Sequence, residues 1–124
     1  LSVTFTFPDV GLCLHGDLSV NNHITFGGDC RIDGHGYNVG FGEVGVFFVS
    51  SGSTLFIVNS GLCDISTGVI ILEDDTSKLA FHTVLWIQNG DFIFSNGSME
   101  FFDTVEFKGD HTFFYESSQT FHFQ

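Results

Sequence analysis

Apolar and polar residues alternate along this chain in short bursts. Val3-Thr4-Phe5-Thr6-Phe7 shows the pattern, and Phe92-Ile93-Phe94 is another compact apolar element. Each burst is rich in Phe, Val, Ile and Thr, and period-two patterning in such residues predicts β-strand. The bursts are separated by Gly27-Gly28, Asp33-Gly34, Ser51-Gly52, Asn89-Gly90, Asn96-Gly97 and Gly109-Asp110. These dipeptides suit tight or left-handed backbone, so they predict turns. No window sustains a 3.6-residue apolar period with a cap at each end, and almost no helix is expected.

The strands recur. Ser53-Thr54-Leu55-Phe56-Ile57, Ser77-Lys78-Leu79-Ala80-Phe81, Ser98-Met99-Glu100-Phe101-Phe102 and Ser118-Gln119-Thr120-Phe121-His122 follow one another at offsets of 24, 21 and 20. Asp29-Cys30-Arg31-Ile32 lies 24 residues before the first of them. A second series runs Ile24-Thr25-Phe26, Val46-Phe47-Phe48, Val69-Ile70-Ile71, Phe92-Ile93-Phe94 and Thr112-Phe113-Phe114, at offsets of 22, 23, 23 and 20. A third runs Tyr37-Asn38-Val39-Gly40-Phe41, Leu62-Cys63-Asp64-Ile65, Thr83-Val84-Leu85-Trp86-Ile87 and Thr104-Val105-Glu106-Phe107.

Short strands with frequent turns fit an antiparallel sandwich. Three strand types repeated in fixed order fit a solenoid better, because each coil then pairs in parallel with the coils above and below. The expectation is all-β: a right-handed parallel β-helix of about five coils with three short strands per coil. Residues 1–17, with Pro8 and Gly11, read as an N-terminal strand and loop leading into the solenoid at 18–124. At roughly 4.8 Å per coil, flat Phe rings can stack along the axis. Phe56, Phe81, Phe101 and Phe121 are expected near one internal ladder, and Phe47, Phe92 and Phe113 near another.

Ile32-Asp33-Gly34-His35-Gly36-Tyr37-Asn38-Val39, followed by Gly45-Val46-Phe47-Phe48-Val49 and Gly52-Ser53-Thr54-Leu55, resembles the coils of pectin-lyase-like right-handed β-helix proteins. It is also similar to bacterial secreted repeat proteins built from such coils. The resemblance covers roughly residues 18–124. It implies polysaccharide lyases or hydrolases as the enzyme reading. A lyase of this kind needs clustered carboxylates and a basic Arg or Lys; a hydrolase needs converging Asp residues. Here the one Arg is Arg31, Lys78 and Lys108 are 30 residues apart, and Asp91, Asp103 and Asp110 fall at unequal coil positions. The expectation is a non-enzyme of the secreted or surface type, without a cofactor.

Composition narrows the partners. Among 124 residues, three Lys and Arg face fifteen Asp and Glu, for a formal charge of -12. That balance excludes a nucleic-acid partner held by phosphate neutralisation, and an anionic membrane surface equally. No apolar run reaches the roughly 20 residues of a spanning helix. Seventeen Phe and 43% apolar residues exclude a disordered acidic tail. Cys13, Cys30 and Cys63 form no C-x-x-C pair; three buried thiols, or one disulfide and a free thiol, are the two readings. The six His show no i, i+4 spacing and read as turn or surface residues rather than metal ligands. Glu73-Asp74-Asp75 reads as a solvated turn, with Ca²⁺ binding as the alternative. Trp86 and Tyr37 are candidates for a sugar platform, Trp86 equally for the core. Asn96-Gly97-Ser98 is a formal glycosylation sequon.

The chain opens on Leu1, which fits either a removed signal peptide or an excerpt of a longer polypeptide. Low Lys and Arg content leans towards an extracellular or cell-surface location. The end segments read as strands without capping residues, so heterologous stacking of one copy on the next is expected. Val3, Phe5 and Phe7 at one end and Phe113, Tyr115, Phe121 and Phe123 at the other are the expected interface. The functional expectation is a structural solenoid assembling head-to-tail into a fibre or stalk. An adhesin-like module binding a glycan or host-surface protein is the alternative.

Overall fold

The computed structural model describes residues 4–42, 45–61, 63–65, 70–83, 85–87, 92–94, 96–107, 113–115 and 121–123. For 4–8, 63–65, 85–87, 92–93, 107, 113–115 and 121–123 the description is of the backbone. Val3 lies outside it. The described chain contains 17 short strands and no helix. Numbered in chain order, one sheet holds β1 (Thr4–Pro8), β4 (His23–Gly27), β7 (Val46–Val49) and β10 (Ile70–Leu72). The longest sheet holds β2 (Gly11–Cys13), β5 (Asp29–Asp33), β8 (Thr54–Val58), β11 (Lys78–His82), β14 (Ser98–Phe101) and β17 (Phe121–Phe123). A third holds β3 (Leu18–Val20), β6 (Val39–Phe41), β9 (Cys63–Ile65), β12 (Leu85–Ile87) and β15 (Val105–Phe107). β13 (Phe92–Phe94) and β16 (Phe113–Tyr115) pair separately.

Every pairing between described strands is parallel and joins strands three places apart in chain order. The fold is therefore a parallel β-solenoid, not an antiparallel sandwich. All three sheets run unbroken over about three turns, from β1 to β10, after which the second and third sheets continue beside the separate β13–β16 pair. This differs from the expected five coils in extent, not in kind. The chain expected as a lead-in already contributes to the sheets: β1 pairs with β4, and β2 with β5.

Inward rows hold the core. Cys30, Leu55, Leu79 and Met99 succeed one another on the six-stranded sheet, and Ile32, Ile57, Phe81 and Phe101 form the row beside them. All eight are at most 1% exposed. Phe81 and Phe101 stack with ring centres 5.6 Å apart and planes 10° from parallel. The other expected ladder is absent at Phe47, whose ring meets Phe26 at 5.0 Å and Phe41 at 4.9 Å, both edge-on. Its strand neighbours are Ile24 and Ile70, so aromatic contact goes across the interior instead of along the axis. Phe56, expected in the ladder, is not part of it. It is paired with Ala80 while its neighbours Leu55 and Ile57 fill the core, so Phe56 lies on the outer face. Phe92 is paired with Phe113, but the ring of Phe92 lies outside the described residues.

Several registers slip by one or two residues from the best sequence match. Ser98 lies opposite Lys78, at an offset of 20, and Phe101 opposite Phe123. The corners differ in length, and the inward apolar alternation then sets the register. The corner between the first and second sheets turns on left-handed backbone in its first three coils, with φ of 45° at Asp9, 74° at Gly28 and 71° at Gly52, while the Glu73–Ser77 corner does without it. The bend from β13 into β14 turns on Gly97 at 78°. At Gly97 a Cβ would also sit 2.6 Å from the Ser77 carbonyl oxygen, so only glycine fits.

Side chains tie each corner to the next. Asp9 Oδ1 accepts the Asp29 N–H at 2.9 Å, and Asp17 Oδ1 accepts that of Asn38 at 3.0 Å. Ser53 Oγ accepts the Gly28 N–H at 2.8 Å. Buried Ser77 places its hydroxyl 3.1 Å from the Val49 carbonyl oxygen and 2.9 Å from that of Ser50, and donates to one at a time. These bonds satisfy backbone groups that the bends withdraw from the sheets.

Candidate functional site

The outer face of the six-stranded sheet carries a groove of about 420 Å³ lined by Arg31, Phe56, Val58, Asn59 and His82. Strand pairing brings these residues together. Arg31 on β5 lies beside Phe56 on β8, and Val58 beside His82 on β11. Asn59 follows β8 directly, in left-handed backbone at φ 60°. Val58 is 8% exposed yet stands outside the core cluster, so it forms the apolar floor of the groove. His82 stacks on Phe102 with centres 3.9 Å apart, and its other neighbour Phe56 lies 6.4 Å away, tilted by 48°. The result is an external row of three rings with a guanidinium at one end.

Charge is distributed unevenly along this face. Lys78 forms an ion pair with Glu100 one strand further on. The Arg31 side chain is exposed and has no hydrogen-bond or ion-pair partner among the described residues. Asp33 Oδ1, two residues away on the same strand, instead accepts the His35 N–H at 3.1 Å. In a chain with fifteen carboxylates, an unpaired guanidinium beside aromatic rings can take an external oxyanion.

A second cluster lies at the corner following the same sheet. Cys13 Sγ is 2.9 Å from His35 Nδ1, which is also 3.9 Å from Asp33 Oδ1. The rings of His15 and His35 stack at 6.5 Å. Cys13 is a free, exposed thiol and Cys30 a free, buried one, which corrects the expectation of three buried thiols; the Cys63 side chain lies outside the described residues. Among the described residues, no group of three or more His, Cys, Asp and Glu is arranged to hold a metal ion. His15 and His35 are one coil apart in sequence, a spacing that a search for i, i+4 pairs passes over.

The acidic corner is a hydrogen-bonding device. Glu73 Oε2 accepts the Ser51 N–H at 2.5 Å, while Asp74 Oδ1 accepts the Thr76 N–H at 2.8 Å and its hydroxyl at 2.6 Å. Hydrogen bonding to Ser51, then to Thr76, holds the Asp74 carboxyl below its ordinary 3.8. Asn96 of the sequon is exposed, its amide 3.4 Å from the Glu73 carbonyl oxygen. Tyr37 is 40% exposed, whereas the Trp86 side chain lies outside the described residues.

Of the expected assembly residues, Phe5 and Phe7 are on β1, Phe113 and Tyr115 on β16, and Phe121 and Phe123 on β17. Each of these strands is at the edge of its sheet, and the side chains lie outside the described residues. Sequence reading did not find the groove. The signal was available in the coil period: Arg31, Phe56 and Ala80 are separated by 25 and 24 residues. No family model, curated protein or solved structure matches this chain.

Proposed function

We propose that the chain is a structural element of an extracellular or cell-surface β-solenoid, of the non-enzymatic kind found among pectin-lyase-like repeat proteins. In this reading it assembles head-to-tail through its edge strands into a fibre or stalk. The observation that carries the reading is the way coils are held together. Each coil is bonded to the next through parallel backbone pairing in the sheets, with apolar rows continuing beneath. A strand edge of this kind offers unpaired N–H and C=O groups that a further coil satisfies, whether from the same chain or from a second copy. Two different edges meeting head-to-tail extend without closing. The acidic flanks, at a formal charge of -12, oppose lateral bundling through like-charge repulsion.

Electron microscopy and sedimentation of the purified protein over a wide concentration range test this. Rods lengthening with concentration, with a fibre repeat near 4.8 Å along the axis, are expected. His122→Pro removes a backbone donor from β17 and should shorten them. A species that stays monomeric at the highest concentration overturns the reading.

A further inference from the structure

We propose that the groove on the outer face of the six-stranded sheet binds a small organic carboxylate with an apolar body. Arg31 takes the carboxylate, Phe56 and Val58 hold the carbon skeleton, and Asn59 and His82 bond polar substituents.

Three observations converge on this ligand class. The first is the state of Arg31. Its guanidinium has no partner among the described residues, whereas Lys78 is already matched to Glu100. Asp33, the acid nearest along its strand towards the groove, is bonded to the backbone of His35. A guanidinium presents parallel donors that fit a carboxylate in bidentate fashion, and beside an apolar surface that pairing is stronger than in open water.

The second is the lining. A volume of about 420 Å³ falls within the range of small-molecule pockets, and Phe56 and Val58 supply an apolar wall and floor beside one cation. Val58 is nearly closed off from solvent by its surroundings and packs outside the core, so the floor is already formed. The stacking of His82 on Phe102 fixes one wall.

The third is the charge count. One guanidinium stands between Asp29 and Asp33 on the same exposed strand face, so the site favours a monoanion over a phosphate dianion. A dianion would meet one positive charge and two negative neighbours. A carboxylate meets the same neighbours with half the charge for them to repel, and leaves the skeleton to the aromatic wall.

The test is an amide-resolved NMR titration of the whole chain at 0.15 M salt with three probes. These are N-acetyl-phenylalanine, the uncharged N-acetyl-phenylalaninamide, and inorganic phosphate. Saturable shifts confined to Arg31, Phe56, Val58, Asn59 and His82 are expected with the carboxylate. The amide should bind about tenfold more weakly or worse, as should Arg31→Gln towards the carboxylate. Phe56→Ala should weaken binding several-fold while the remaining spectrum stays in place. Arg31→Lys keeps the charge without the fork and should bind at an intermediate level. Equal binding of the amide means a purely apolar groove and overturns the proposal. Equal binding of phosphate means an unselective anion site, and overturns it too. So does the absence of saturable shifts, or a set of shifts that follows protein concentration instead of probe, which would mark an acidic side chain of a second copy as the occupant.

Discussion

The two faces of the six-stranded sheet are built from the same strands yet obey different rules. Inside, Ile32, Ile57, Phe81 and Phe101 follow one another and all are essentially inaccessible to solvent. Outside, the adjacent row reads Arg31, Phe56, Ala80 and Glu100, a cation, an aromatic ring, a methyl group and an acid. The inner row must fill a close-packed interior coil by coil, where a lost side chain leaves a void. The outer row has only to cover the sheet and stay soluble, so it can hold chemistry.

The largest effect should come from breaking the inner row. Phe81→Ala removes a ring with no exposure that stacks on Phe101, and is expected to cost about 3–5 kcal/mol in denaturant unfolding. Phe56→Ala, one row away on the outer face, should cost less than half of that. Similar losses for the two would mean that the faces are not distinct. Gly97→Ala should come next, at about 1–3 kcal/mol, because the left-handed backbone and the close Ser77 carbonyl both oppose a side chain. Thermal melts would show it, and an unchanged midpoint would mean the corner can rebuild itself.

A smaller effect is expected from acid at the Glu73–Ser77 corner. The folded-state pKa of Asp74 is depressed, so its contribution is present above the ordinary carboxyl value of 3.8 and is lost as pH falls through the lower, folded value. Protection of the Thr76 amide from hydrogen exchange, taken relative to the intrinsic rate at each pH, should therefore fall only in acid below the ordinary carboxyl value of 3.8, and Asp74→Asn should flatten that dependence. The smallest effect concerns the outer cation. Arg31→Gln should change stability by no more than about 0.5 kcal/mol, as for other exposed positions. A larger loss would recast Arg31 as part of the scaffold.

Much of the solenoid could be read from the chain because its signal is repeated. Inward positions recur at nearly constant spacing, and turns at Gly28, Gly52 and Gly97 carry the left-handed backbone their dipeptides predict. What failed was register. Matching Ser98 to Ser77 by residue type ignored the longer Glu73–Ser77 corner, and the strands chose the pairing that keeps Leu79 and Met99 inside together. Phe56 was misplaced for a different reason: the expected 24-residue offset is the observed one, but it sets Phe56 opposite Ala80 and gives the interior position beside Phe81 to Ile57. The groove and the Cys13–His35 contact were hidden for another reason. Their residues lie more than twenty positions apart, and only an exact coil register makes them neighbours.

The hydrogen bonds between coils point along the long axis of the winding, so a load applied to the two ends would pull directly on them. Three ribbons share that load at each boundary over the turns from β1 to β10, and tension should therefore peel the rod one layer at a time. In single-molecule extension such a layer would release some twenty-odd residues of slack, giving a sawtooth whose step is the length of one winding.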